Sequence, residues 1–472
     1  MHYINRSSHL GNLLLLFIFS FLSVFCFLLL ITDNNRPVCY ESLCILPLSF
    51  TIFSWIFYKI YFVIPSNMGI SLIVILYFVR DVLSPLVMYM GDYNSTISVG
   101  INENTIYAIF LVVYENLIVF ACLYFCVINN ANSKVYELPN YKEITKKGKR
   151  IYVILVITML IVLTICIHYT PQLLISYRPI TEINDQHFAN MEDGYIVKKY
   201  GTSFSLKLSL VIGNYIMRIA LLIVPATLIV LIHNFKNNRI TKYLALIICF
   251  FPFLYIGGAI GRSLIYTICL ILLRDSLYNP KSLNKHIVFV AMLGFIAIIV
   301  YWTTRDLENG FDYTGMSKRF SSYFSSVNIV SGVYNLPRNI EYRFRYFIFD
   351  YITTLPFGNT IFGTAGETTV QTFFNMYNDS QGQIPPTIAM GYYYFGSLLA
   401  PVYSVLFSLV AFRAGEKIRC KDFDNPFQFA RLMYTIFTFS MGIIMYNIEI
   451  TMTNTLCILL PMAIMEKIAY EK

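Results

Sequence analysis

Charge is what this sequence has least of. Lys, Arg, Asp and Glu make up 13% of its 472 residues, about half the share found in a soluble domain. That scarcity argues against a soluble enzyme, a disordered chain and a small disulfide scaffold. Motifs of soluble chemistry are missing as well. No G-x-x-x-x-G-K-[ST] phosphate loop occurs, so the chain is not itself an ATPase. No H-E-x-x-H occurs, and the six His are scattered through loops and run ends, so little in the sequence favours a His-based metal site. The net charge of +9 includes no basic stripe that could track phosphates, which argues against nucleic acid as a partner. Asp422-Phe423-Asp424 matches a nucleotide-sugar D-x-D motif, but it stands in a short loop with no room for a nucleotide-binding domain and reads as a solvated turn. Internal repeats and low-complexity tracts are also lacking.

What the chain has instead is apolar surface. Hydrophobic residues reach 57% and aromatic residues 17%, with 39 Phe and 37 Tyr. They come in blocks of about 20 residues, the length at which a helix crosses hydrocarbon. Counting them gives about 12 spans, from Leu10–Ile31, Leu43–Ile64, Met68–Met90 and Thr105–Ile128 through Ile151–Tyr169 and Leu206–His233 to Pro386–Phe412, Phe429–Tyr446 and Thr453–Met465. The expected fold is an all-α polytopic membrane protein, one integral domain over 1–472. The first run reads as a span and not a cleaved signal, being longer than a signal core and without a small-x-small site. Most of the ten Cys lie inside apolar runs and serve as small hydrophobes. Cys39 and Cys44 flank a short loop and pair only if the geometry allows.

Lys and Arg collect in the loops Asn129–Arg150, Asn234–Lys242, Arg274–His286 and Arg413–Gln428, whereas Gly91–Asn104 has neither. The basic loops mark the cytoplasmic side, and both termini then fall there. Two long segments, 170–205 and 304–385, fall outside. The second is dense in rings and cations, as in Tyr342-Arg343-Phe344-Arg345-Tyr346-Phe347, a mixture suited to short helices lying on a membrane surface. A helix over Arg338–Asp350 would put Arg338 and Arg345 on one face.

Charges inside apolar runs carry a cost and need a reason. Lys59, Arg80, Asp81, Glu115 and Arg218 are such charges. Adjacent residues diverge on a helix, so Arg80 and Asp81 each require a separate partner. Glu115 can pair with Arg80 or Lys59, as helix glue or as function, and Lys59 can snorkel to the interface. Arg218 has no acid nearby and suits an anionic ligand such as a phosphate. The run Gly257-Gly258-Ala259-Ile260-Gly261-Arg262-Ser263 separates two short apolar stretches. It reads either as a re-entrant turn offering N–H groups, Arg262 and Ser263 to an anion, or as a glycine-rich hairpin with a snorkelling Arg. The large outer loop adds Arg305, Arg319, Arg338, Arg343 and Arg345, with acids Asp306, Asp312, Glu341, Asp350, Glu367 and Asp379. A carboxylate beside Arg and an apolar wall is a reasonable general base.

The layout resembles that of the Wzy-type oligosaccharide repeat-unit polymerases, which build O-antigen or capsule in bacteria. The resemblance rests on the span number, the two large outer loops, Gly257 to Ser263 followed by Tyr266, and Pro385-Pro386 followed by Tyr392 to Gly396. Many members carry an acid just before the late tyrosine; Met390-Gly391 stands there in this chain. The resemblance implies a GT-C-like membrane glycosyltransferase of the bacterial cytoplasmic (inner) membrane. Its donor would be a glycan on undecaprenyl diphosphate and its acceptor a repeat unit on the same lipid. No nucleotide sugar, metal or cofactor is implied, and a chain-length regulator protein is a partner beside the membrane lipid. Arg262, Arg218, Ser263, Arg338, Arg343 and Arg345 would then hold diphosphate, Glu367 or Asp350 would act as base, and Tyr392, Tyr393 and Gln383 would meet the acceptor or glycan. An O-antigen ligase, a lipid-linked oligosaccharide flippase and a non-catalytic assembly scaffold are the alternatives. A flippase should show paired halves, and none are visible.

Overall fold

A computed structural model describes residues 6–64, 66–93, 104–130, 146–169, five positions between 208 and 216, 313–324, 327–337, 339–355, 368–377, 384–423 and 425–470. The described residues are helical, with no strand among them. The helices are α1 (Arg6–Thr32), α2 (Ile45–Ile56), α3 (Met68–Phe78), α4 (Ser84–Met90), α5 (Asn104–Asn129), α6 (Lys146–Tyr169), α7 (Tyr313–Tyr323), α8 (Val327–Val333), α9 (Ile340–Thr354), α10 (Thr369–Met376), α11 (Thr387–Phe395), α12 (Val402–Arg419), α13 (Pro426–Ile444), α14 (Ile448–Asn454) and α15 (Leu460–Tyr470).

Six stretches among the described residues are long and apolar enough to cross a membrane: Leu13–Thr32, Val38–Ile56, Met68–Met90, Asn104–Asn129, Phe427–Ile444 and Ile448–Ile468. The protein is an α-helical membrane protein of several spans. Two of the spans contain a π turn, Val79–Leu83 between α3 and α4 and Thr455–Leu459 between α14 and α15. The predicted runs over Leu206–His233 and Gly257–Ser263 lie outside the described residues, apart from a few helical positions before 217.

Contacts divide the chain into two units. The first comprises Met1–Tyr136, Asp312–Asp422 and Thr435–Leu456. The second comprises Glu137–Phe311, Phe423–Tyr434 and Cys457–Lys472. In the second, α6 packs on α15, and Glu466 accepts from Arg431 Nε at 2.9 Å and from Asn425 Nδ2 at 3.3 Å.

The first unit is built on close helix approach and stacked rings. Phe19 of α1 stacks on Phe78 at 4.3 Å, and Phe50 of α2 meets both Phe78 and Phe120. Asn67 starts α3 by accepting from Ile70 N–H. The same side chain donates to Glu416 Oε1 at 2.8 Å, which ties the start of α3 to the end of α12. Gly69 makes that approach possible, since a Cβ there would stand 2.2 Å from the Ala411 carbonyl oxygen. Small residues serve this purpose between membrane helices generally.

The run Pro386–Phe412 is not one span. It breaks at Gly396, whose φ of +78° ends α11, a conformation easy only for glycine. α12 then turns back along α11. Thr387 meets Ser404 at 2.9 Å, Met390 packs with Tyr403, and Gly391 lies against Ala400, an antiparallel register. With nine residues, α11 is about 13 Å long, less than half a bilayer. The pair is a helical hairpin, and a short helix such as α11 is tolerated at membrane depth where protein surrounds it. α11 is covered accordingly, with Thr387 to Gly391 buried.

Candidate functional site

Two buried polar clusters occupy the first unit. One centres on Arg80, 3% exposed. Its Nε donates to Asp81 at 3.0 Å, Nη1 to Glu115 Oε2 at 2.7 Å and Nη2 to Asn116 Oδ1 at 2.6 Å. Asn116 returns a bond to Asp81 Oδ2 at 2.8 Å, and the Ser404 hydroxyl donates to Glu115 Oε1. The guanidinium also lies 4.8 Å over the Tyr77 ring. The expectation that Arg80 and Asp81 diverge is corrected here. They sit in the π turn Val79–Leu83, and the long Arg side chain folds back to its neighbour. Glu115 pairs with Arg80 and not with Lys59. Lys59 stands beyond the span Val38–Ile56, exposed, with its ammonium 5.8 Å from the Tyr124 ring.

The second cluster centres on Asp350, 1% exposed near the end of α9. Residues at spacings of three, four and seven share a helix face, so Arg343, Tyr346, Phe347 and Asp350 line one side of α9. That side is the covered one, while Phe344, Arg345 and Ile348 are exposed. Thr369 N–H donates to Asp350 Oδ1 at 2.9 Å, and the Tyr394 hydroxyl donates to Oδ2. The Glu449 carboxyl, in the first turn of α14, is in hydrogen-bonding contact with Asp350. Glu449 Oε1 is buried without a hydrogen-bond partner. Tyr351 and Tyr403 close the surround, their hydroxyls 2.7 Å apart. Burial pushes the Asp350 carboxyl above its usual range, and the hydrogen bonds from Thr369 and Tyr394 only offset part of that rise. Chemically the cluster is a pair of carboxyl groups in a ring-lined, water-poor setting, able to take up or release one proton.

The other expected site residues are distributed as follows. Arg343 and Arg345 stand two apart on α9 and therefore project to opposite sides; they do not converge. Arg343 Nε is buried without a partner, and Arg345 lies over the Phe349 ring at 5.3 Å. Tyr393 is 1% exposed and its hydroxyl donates to the Pro337 carbonyl at 2.9 Å. Tyr392 stacks on Tyr334 at 4.2 Å and lines an open groove. Arg218, Arg262, Ser263, Arg338, Glu367 and Gln383 lie outside the described residues. The helix expected over Arg338–Asp350 begins at Ile340. Cys39 and Cys44 are both free thiols at the two ends of one 3₁₀ turn region, Val38–Cys44.

Glu449 is the group that sequence reasoning missed. It is the sole charged residue between Arg431 and Glu466, an isolation that marks a carboxyl with a reason to be there. Compared with known families, curated proteins and solved structures, the chain matches none.

Proposed function

We propose that this protein is a membrane glycosyltransferase that polymerises lipid-diphosphate-linked oligosaccharide repeat units at the outer face of a bacterial cytoplasmic membrane. In this reading the chain has about 12 spans in a GT-C-like arrangement. The buried carboxyl pair Asp350–Glu449 is the observation that carries it. Elongation needs a base: the acceptor hydroxyl attacks the anomeric carbon of the donor, the bond from that carbon to the diphosphate oxygen breaks, and the hydroxyl proton must go somewhere. Two carboxyl groups in contact cannot both ionise readily, so they hold one proton between them and one negative charge. Both Asp350 oxygens are tied to Thr369 and Tyr394. Glu449 shares its proton with Asp350, so the two carboxyl groups receive the hydroxyl proton as a unit.

Topology supports this reading. The charge rule puts both the 304–385 loop and the turn between the last two spans on the outer side, and these segments supply Asp350 and Glu449. Arg343 supports it too. It shares a face of α9 with Asp350, about 10 Å away along the axis, and its Nε has no partner. A guanidinium so placed suits the charge that develops on a leaving diphosphate.

Surface polysaccharide run on a gel tests the proposal. Deleting the gene in its host should leave a single repeat unit attached and remove the ladder. Complementation with Asp350→Asn or Glu449→Gln should fail to restore the ladder at normal protein level. Loss of the single unit as well would favour a ligase or flippase, and an unaltered ladder in the deletion strain would end the proposal.

A further inference from the structure

α9 has two unlike faces. The covered one carries Asp350. The other is apolar and open. Phe344, Ile348 and Ile352 recur at spacings of four and so form one stripe, which Leu355 extends just past the helix end. Phe344 is 64% exposed, Leu355 43% and Ile348 37%, while Ile352 is half-buried. Glu341 and Arg345 are exposed along the edge of the stripe, four residues apart. Single exposed apolar residues need no explanation, but a continuous stripe does. The depth of α9 is set by its neighbours. It packs on α10, α11 and α14, and Asp350 touches Glu449, the second residue of the span Ile448–Ile468. α9 therefore lies at the level where that span leaves the hydrocarbon. It is not a span itself. Its 15 residues reach about 22 Å, short of the roughly 30 Å of hydrocarbon, and they include Glu341, Arg343, Arg345 and Asp350.

We infer that α9 is an interfacial helix that binds anionic phospholipid, its Phe344–Ile352 stripe set among acyl chains and its Arg345 guanidinium at the lipid phosphate. Continuity favours lipid over a protein partner as the cover. The stripe belongs to a helix seated on the first turn of a membrane span, so acyl chains and headgroups are already beside it. The arrangement of charge favours lipid too. Arg345 stands about 100° around the helix from Phe344, and its guanidinium lies over the Phe349 ring at 5.3 Å, on the flank away from the stripe. A stripe dipped into acyl chains then leaves the long Arg stem reaching up to the phosphates. A guanidinium there matches a phosphate in charge and in fork geometry. Glu341 stands one turn nearer the N-terminus and bounds the site, since a carboxylate repels an anionic headgroup. The inference stands apart from the polymerase reading. Where both hold, the Asp350–Glu449 pair on the opposite face lies at headgroup depth, the level at which a lipid diphosphate presents its phosphates.

Tryptophan fluorescence of the full chain in lipid nanodiscs tests the inference. Trp55→Phe and Trp302→Phe remove the two native Trp, and a single Trp is then introduced as Phe344→Trp or, in a second protein, Ile348→Trp. Phe21→Trp, at an exposed position of the span Leu13–Thr32, gives the reference for contact with acyl chains. Phosphatidylcholine brominated near the headgroup end of its chains should quench both α9 probes, and aqueous iodide should quench them weakly. In equal mixtures of phosphatidylcholine and phosphatidylglycerol, moving the bromine to phosphatidylglycerol should deepen the quenching of the Phe344→Trp probe. The change should correspond to about fivefold local enrichment of the anionic lipid, the range for one cation at a membrane surface. Arg345→Gln should abolish the preference, and Glu341→Gln should not lower it. Strong iodide quenching with none from brominated lipid puts the stripe in water and overturns the inference. Quenching by neither agent means that protein, such as a second copy of the chain, covers the stripe, and overturns it equally. A lipid-quenched probe without anionic preference, or with a preference that survives Arg345→Gln, overturns the phosphate contact.

Discussion

Replacing Arg80 by Met should be among the most damaging single changes in the first unit. Met matches the aliphatic stem of Arg as far as Nε, so packing along the stem is kept and the chief loss is electrostatic. Three nitrogens of Arg80 make bonds of 3.0, 2.7 and 2.6 Å to Asp81, Glu115 and Asn116. Without them, two fully buried carboxylates keep only Asn116 and Ser404 as donors. Charge-assisted bonds contribute about 1.5–3 kcal/mol each. Uncharged bonds between membrane helices average nearer 0.6 kcal/mol, because the reference state finds other partners. Breaking a buried pair by removing one member costs about 3–5 kcal/mol, and that is the expected loss here. Arg80→Lys should recover only part of it, since one ammonium cannot span three acceptors held in a fork. The informative comparison is a triple variant, Arg80→Met with Asp81→Asn and Glu115→Gln, which removes the stranded charges. It should regain about half the loss. Stability is read from the midpoint and slope of unfolding in SDS, with helicity as the signal. A single Met variant within about 0.5 kcal/mol of the parent, or a triple variant no better than the single, would refute the assignment of this cluster as charge-balanced glue.

Two further outcomes follow from the hairpin and from Asp350. Gly391→Ala puts a Cβ 2.1 Å from the Ala400 carbonyl oxygen, so the hairpin must open, at about 1–3 kcal/mol. Gly396→Ala meets no atom within 4 Å but forces φ of +78° on a side chain, at about 1 kcal/mol; the reverse order in SDS unfolding would contradict the hairpin geometry. Burial raises the folded-state pKa of Asp350 above its ordinary 3.8, so in the window above 3.8 the folded protein binds more protons than the unfolded one. Stability therefore falls as pH rises from 3.8 through the folded value. Asp350→Asn should flatten that part of the profile, and a variant that keeps the same acid-side slope would show the slope to come from elsewhere.

The membrane class and several spans were legible because hydrocarbon thickness imposes a length. Met68–Met90 was read to the residue, and Thr105–Ile128 to within one residue at each end. Length is also why Pro386–Phe412 misled. A hairpin of two short helices and a single span contain the same number of apolar residues, and Gly396 alone does not say which way the chain turns. The π turn at Val79–Leu83 is equally silent in sequence, yet it decides that Arg80 reaches Asp81. Asp350 was legible as an acid among rings in a long loop. Its partner Glu449 was not, because the two are separated by 99 positions and meet only after α9 packs on α14.

Satisfaction of polar atoms separates the two buried clusters better than charge does. Around Arg80, both oxygens of Asp81, both oxygens of Glu115 and both polar atoms of the Asn116 amide have partners. The Tyr77 hydroxyl is buried without a partner, but the carboxylates and the Asn116 amide are closed on one another, and a network of this kind rigidifies helices. Around Asp350 the bookkeeping does not close. Glu449 Oε1 and Arg343 Nε are buried and unpartnered, each at a cost in free energy. One is an acceptor and the other a donor, and they face the same helix side as Asp350 or touch it directly. A group that supplies both a hydroxyl proton and an anionic oxygen would satisfy the two at once. An alcohol attacking a sugar diphosphate is such a group, so the polymerase reading proposed above places its chemistry at the open cluster and not at the more heavily charged closed one.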